Sequence, residues 1–100
     1  MNYRVIITPE AEHDIDDMAD WIAAYSEEYR ARWYVALRKA VNSLRQFPRR
    51  CSLAYESTDE KEVRHLFFAQ HRLIFTIENS NVYVVHVRHQ RQQLLTEREL

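Results

Sequence analysis

Apolar and polar positions along the chain change period twice. Tyr3-Arg4-Val5-Ile6-Ile7 is short, β-branched and partly alternating, which predicts a strand. Thr8 then offers an N-cap and Pro9 the first helical position. Glu10 and Glu12 follow against the positive end of the helix dipole. Ala11, Ile15, Met18, Ile22 and Tyr25 recur at steps of four and three, so one helix face carries them, with Ala19 alongside. Ser26 followed by Glu27 and Glu28 starts a second helix close behind, predicting an antiparallel pair. On it Tyr29, Trp33, Leu37 with Ala36, Ala40, Leu44 and Phe47 form the expected buried stripe, which Pro48 ends.

Periodicity disappears over residues 49–62, a polar and acidic stretch read as a surface loop rather than a domain boundary. Beyond it the period becomes two. Val63 to Phe68, His71 to Glu78 and Val82 to His89 are rich in Val, Ile, Phe and Tyr, as a three-strand antiparallel meander requires. Leu73, Phe75 and Ile77 alternate with Arg72, Ile74 and Thr76, so the middle strand is expected to turn an apolar face to the helices and a mixed face outward. With no glycine in the chain, the turns Ala69-Gln70 and Asn79-Ser80-Asn81 lack the usual residue for positive φ, and the asparagines must serve in the second. Gln92 to Leu100 is expected either to form one or two helical turns with Leu94 and Leu95 packing back, or to fray. The fold class is α+β: an N-terminal strand, a helical hairpin, a three-strand meander and a short tail, in one domain over residues 1–100.

Charge adds a second layer to this picture. The net charge is −1, which excludes binding to nucleic acid through bulk charge, so any polyanion site must be local. The neutrality conceals segregation: residues 1–28 sum to −7, 29–50 to +7, 51–63 to −3 and 64–100 to +2. The acidic first helix and the basic second are expected to gain from complementary charge, although exposed pairs contribute only ~0–1 kcal/mol each. One cysteine, Cys51, allows no internal disulfide, and the N-terminus lacks the long apolar stretch of a signal peptide or membrane span. A reducing cytoplasm is the expected compartment.

Candidate chemistry gathers in the second half. Arg64, Arg72, Arg88 and Arg91, with His65, His71, His86 and His89, bring planar cationic forks and titratable imidazoles into the meander. A zinc site at His86-x-x-His89 is rejected, because a separation of three on a strand points the side chains to opposite faces. No nucleophile elbow is present, and a Gly-rich phosphate loop cannot exist without glycine. Tyr29, Trp33 and Leu37 are read as core rather than a base-stacking platform, and Cys51 as an incidental thiol. No metal or other cofactor is expected.

The order of elements, together with Thr8-Pro9-Glu10-Ala11-Glu12, Asp14-Ile15, Ala31-x-Trp33, Phe47-Pro48, Val63-Arg64-x-Leu66, His71-Arg72-Leu73-Ile74-Phe75 and Val84-Val85-His86-Val87-Arg88-His89-x-Arg91, resembles the RelE/ParE superfamily of type II toxins. The resemblance spans essentially the whole chain, and its histidine-and-arginine ending looks like the ParE-like branch. It implies a toxin neutralised by a cognate antitoxin protein and acting either on DNA gyrase, as ParE-like members do, or on mRNA in the ribosome, as RelE-like nucleases do. Where those nucleases carry paired lysines, a later arginine and a C-terminal tyrosine, this chain has Val63, His65, Gln90 and Thr96; Arg72 alone matches. The ParE-like reading implies Arg64, Arg72, Arg88, His89 and Arg91 as target-binding residues. The nuclease reading implies Arg72, Arg88, His89 and His65 as catalytic. A third reading is a non-toxic interaction module that keeps the fold. All three expect the guanidinium groups to share one exposed surface.

Overall fold

A computed structural model describes residues 2–92, 94–95 and 99–100. In chain order it contains β1 (Arg4–Ile7), α1 (Pro9–Ala23), α2 (Glu27–Ser43), a 3-10 turn (Pro48–Arg50), β2 (Arg64–Phe68), β3 (His71–Glu78) and β4 (Asn81–His89). The sheet order is β1-β4-β3-β2, with β1 parallel to β4 and the other pairs antiparallel. The α+β order expected from periodicity is therefore the one observed.

Both helix starts are built as their residues suggest. Thr8 Oγ1 accepts from the Ala11 amide at 3.2 Å and donates to the Val84 carbonyl at 2.9 Å, so one hydroxyl caps α1 and ties it to β4. Ser26 Oγ accepts from the Tyr29 amide at 3.0 Å. The helices lie on one face of the sheet, where Ile15, Ile22, Trp33, Leu37 and Leu44 meet Leu73, Phe75, Val82, Val84 and Val87. Fully burying each of these large side chains stabilises the fold by roughly 1.5–3 kcal/mol.

Three stripe ends differ from expectation. α1 stops at Ala23, and Tyr25, at the hairpin tip beyond it, is 76% exposed with its ring edge-on to Trp21. Tyr29, in the first turn of α2 at that same tip, is 41% exposed. α2 ends at Ser43, and Phe47 adopts φ 50°, which turns its ring into solvent. A residue before proline is disfavoured in the right-handed helical region, so the chain reverses there and buries Pro48 instead. Arg50 reaches back to the carbonyls of Ser43, Gln46 and Phe47, supplying the basic cap that the helix end needs.

The largest correction concerns the outer face of the sheet, which is covered rather than exposed. The loop over 51–63 and the chain end fold across it, and Ala54, Val63, Ile74 and Leu95 form a second small core there with Val85 and Leu100. The expected helical turns over 92–100 fall partly on residues 93 and 96–98, outside the described residues; within that stretch Leu95 is buried and Leu94 exposed. The β2–β3 turn places both Ala69 (φ 43°) and Gln70 (φ 68°) in the left-handed region, and Asn79 (φ 56°) serves in the β3–β4 turn. No described helix is long and apolar enough to cross a membrane.

Candidate functional site

The register decides where the arginines go. β4 carries a bulge: Ile74 pairs with His86 but Phe75 pairs with Val84, leaving Val85 as an extra residue. Val82 and Val84 face the helices, and after the bulge Val87 and His89 do so. His86 and Arg88 are thereby thrown onto the outer face, and His86 and His89 lie on opposite sides. Arg72 and Arg88 are directly opposed across β3 and β4. Like charges in that relation repel, and each is met by a carboxylate from the covering segments: Arg72 by Glu56, Arg88 by Glu99 at 3.8 Å.

The Arg72–Glu56 pair is bidentate, at 3.1 and 2.6 Å, and Arg72 is only 2% exposed. The same guanidinium donates to His65 Nδ1 at 3.0 Å, while Glu56 also accepts the Leu95 amide at 3.1 Å. Burial raises the Glu56 carboxyl, but the hydrogen bonds from Arg72, the Leu95 amide and its own amide outweigh that and hold its pKa at about 2. Burial, and then the charge of Arg72, push the His65 imidazole below its usual value, so it is neutral with its Nδ1 lone pair already occupied. This is a closed structural clamp holding loop, strand and tail together.

The expected common surface of guanidinium groups is therefore not present. Arg64 lies on the helix side of β2, bonded to Glu62 at 2.6 Å and to the Cys51 carbonyl at 2.6 Å, where it pins the start of the loop. His71 sits beneath the helices with Trp33 Nε1 3.3 Å from its Nδ1, and burial lowers its pKa. His86 bridges Asp14 at 2.8 Å and the Glu99 carbonyl at 2.7 Å. Asp14 also accepts the Val87 amide at 3.1 Å, standing in for β1 where that strand has ended. Burial pushes the Cys51 thiol up against the pull of Arg50 and Arg64, which keeps it protonated.

One groove, of about 500 Å³, opens between α1 and the end of β4. Met18, Trp21 and Val87 form its apolar wall; Arg88, His89, Arg91 and Gln92 its far rim; Asp14 and Asp17 its near one. The turn is self-supporting. The His89 amide donates to Gln92 Oε1 at 2.6 Å and the Arg91 amide to His89 Nδ1 at 3.1 Å, which places the exposed Arg91 at the mouth. Trp21 is 60% exposed. A partly exposed tryptophan and methionine beside arginine make the composition of a protein-binding hot spot rather than of an acid–base site. Three expected residues, Arg88, His89 and Arg91, come together here. Trp21 and Met18 were not singled out as functional, although a tryptophan just off the core stripe of an acidic helix was a usable signal.

Residues 5–94 match the family model for the ParE toxin of the type II toxin–antitoxin system parDE. The chain belongs to the ParE toxin family. Among solved structures it is similar to one described as the chromosomal ParDE TA system from P. aeruginosa, with 14% identity and a TM-score of 0.71, covering 87% of this chain and 95% of that one. At that identity the likeness is one of fold. Among curated protein sequences none matches. ParE membership agrees with the ParE-like ending read from Val84 to Arg91.

Proposed function

We propose that this ParE-family chain is a cytoplasmic toxin that inhibits DNA gyrase by binding it, and that a cognate antitoxin holds it inactive. The observation that carries this reading is the enclosure of Arg72. A nuclease attack by a 2′-hydroxyl needs a base, an acid and a cation presented together to the phosphate. Here Arg72 is bound bidentately by Glu56 and His65 is occupied by Arg72. His89 sits on the opposite side of the sheet, opposite His71. The chemistry available at the surface is recognition, and the groove between Trp21 and Arg91 is where it is concentrated.

The test is a gyrase supercoiling assay with purified toxin, run beside a translation reaction scored for mRNA cleavage. Loss of supercoiling at toxin concentrations near that of gyrase, with intact mRNA, is expected. Unchanged supercoiling at saturating toxin with cleaved ribosome-bound mRNA would replace this reading with the RelE-like one. No effect in either assay would leave a non-toxic interaction module.

A further inference from the structure

We propose that the solvent face of α2 is a docking track for the phosphate backbone of duplex DNA, separate from the groove and independent of whether gyrase is the target. The starting point is the charge segregation, which no close ion pair between the two helices takes up among the described residues: the pairs that involve them are His13–Asp17, Arg30–Glu27 and His86–Asp14. The acids Glu10, Glu12, Asp16 and Asp20 are exposed on one helix, and Arg32, Arg38 and Lys39 on the other, none of the three basic residues bonded to a carboxylate. An ordinary solvated surface mixes the two signs. Here seven bases and no acid occupy residues 29–50.

The geometry is that of a continuous strip. Arg32, Val35, Arg38, Lys39 and Asn42 recur at helical spacing opposite the buried face of Trp33, Leu37 and Ala40. Two shallow depressions, of about 390 and 510 Å³, lie end to end along it and share Asn42 as a wall. Asn42 in turn accepts from Arg45 Nε at 2.9 Å, which carries the cationic line past the helix end. From Arg32 to Arg45 the track runs about 20 Å at ~1.5 Å per residue, a little over half of the ~34 Å pitch of duplex DNA.

The lining selects the partner class. Val35 is the single exposed large apolar residue between Arg32 and Arg45, so the track lacks the aromatic anchor that a protein interface uses. The rings near it, Tyr29 beside Arg32 at one end and Tyr3 and Phe47 at the other, leave its middle without a row of rings on which successive unpaired bases could stack. Arginine, lysine and asparagine on a rigid helix suit phosphate contacts, which position a protein without reading sequence.

The test is fluorescence anisotropy of a labelled 20-base-pair duplex titrated with the full chain. With three to four phosphate contacts, affinity should fall roughly 40- to 150-fold between 50 and 200 mM salt. The exposed double substitution Arg38→Glu with Lys39→Glu should weaken binding at 50 mM salt roughly tenfold or more, with the melting temperature unchanged. Lys39→Gln alone should give a smaller loss and serves if the double variant melts early. Asp16→Asn with Asp20→Asn should not weaken binding. No duplex binding at 50 mM salt would overturn the proposal, as would binding that the α2 substitutions leave unchanged. Binding of polyglutamate in place of duplex would overturn it in favour of an acidic protein. Equal binding of single-stranded RNA would overturn the commitment to duplex.

Discussion

Replacing Arg72 with alanine would strip Glu56 of both guanidinium bonds while leaving its carboxylate buried against the Leu95 amide. Removing one partner of a buried ion pair costs about 3–5 kcal/mol, chiefly because the remaining charge is left uncompensated. That is a large share of the 5–15 kcal/mol that typically holds a single domain together. For 100 residues, at about 5 °C per kcal/mol, the melting temperature should fall by roughly 15–25 °C. The informative partner is the double variant Arg72→Met with Glu56→Leu. It removes both charges but leaves His65 without its donor and the Leu95 amide without its acceptor, a loss of about 1 kcal/mol each, so it should melt within roughly 10 °C of the wild type and above Arg72→Ala. If the clamp is structural, the double variant also retains supercoiling inhibition. Two results would refute the reasoning: Arg72→Ala melting like the wild type, or a well-folded double variant that no longer inhibits gyrase. Either would mean that Arg72 acts on a partner.

Three further outcomes follow from the same geometry. His65 and His71 have folded pKa values below the ordinary 6.5, so their contribution to stability is complete above pH 6.5 and is lost as pH falls towards the folded values. Melting curves from pH 8 to 5 should show stability declining by up to about 2.7 kcal/mol per pH unit below 6.5, and a flat profile would contradict it. Changing Ala69-Gln70 to Asn-Gly should relieve two left-handed residues without glycine and raise the melting temperature by a few degrees, at about 0.5–1 kcal/mol; a lower melting temperature would show that the turn is not strained. Trp21→Ala with Arg91→Ala should leave the melting temperature within about 2 °C yet weaken gyrase inhibition roughly 30-fold, as loss of a ~2 kcal/mol hot spot would. Unchanged inhibition would remove the groove from the account.

Much of this fold can be read directly from the chain, because its signals are local. Thr8-Pro9 and Ser26-Glu27-Glu28 carry their own capping chemistry, and the Ile15 and Trp33 stripes repeat at a period that only a helix satisfies. The parts that were not legible depend on contacts between distant segments. Nothing local marks Val85 as an extra residue: four of the six residues from Val82 to Val87 are valine, and the stretch lacks the glycine that often signals a bulge. Unbroken alternation would have put His86 and Arg88 under the helices. Glu56 looked like one more acid in a polar loop, and its role appears only with the opposition of Arg72 and Arg88 across two strands and the small core that Ala54 and Val63 make with Ile74. Phe47 fits the α2 stripe by spacing, yet the proline after it sends the ring outward. The site followed the same rule. Arg88, His89 and Arg91 are recognisable by type, whereas register alone sets Arg88 beside Arg72 on the outer face and His89 with His71 on the other.

The account turns on the toxin meeting its target through the groove rather than through the sheet face beneath the loop. Hydrogen–deuterium exchange of the chain with and without gyrase tests this most directly. Protection is expected over residues 14–21 and 87–92, with amides of residues 64–75 unchanged. Protection concentrated at 64–75, together with faster exchange around Glu56, would show that the clamp opens to expose Arg72 and would contradict the account.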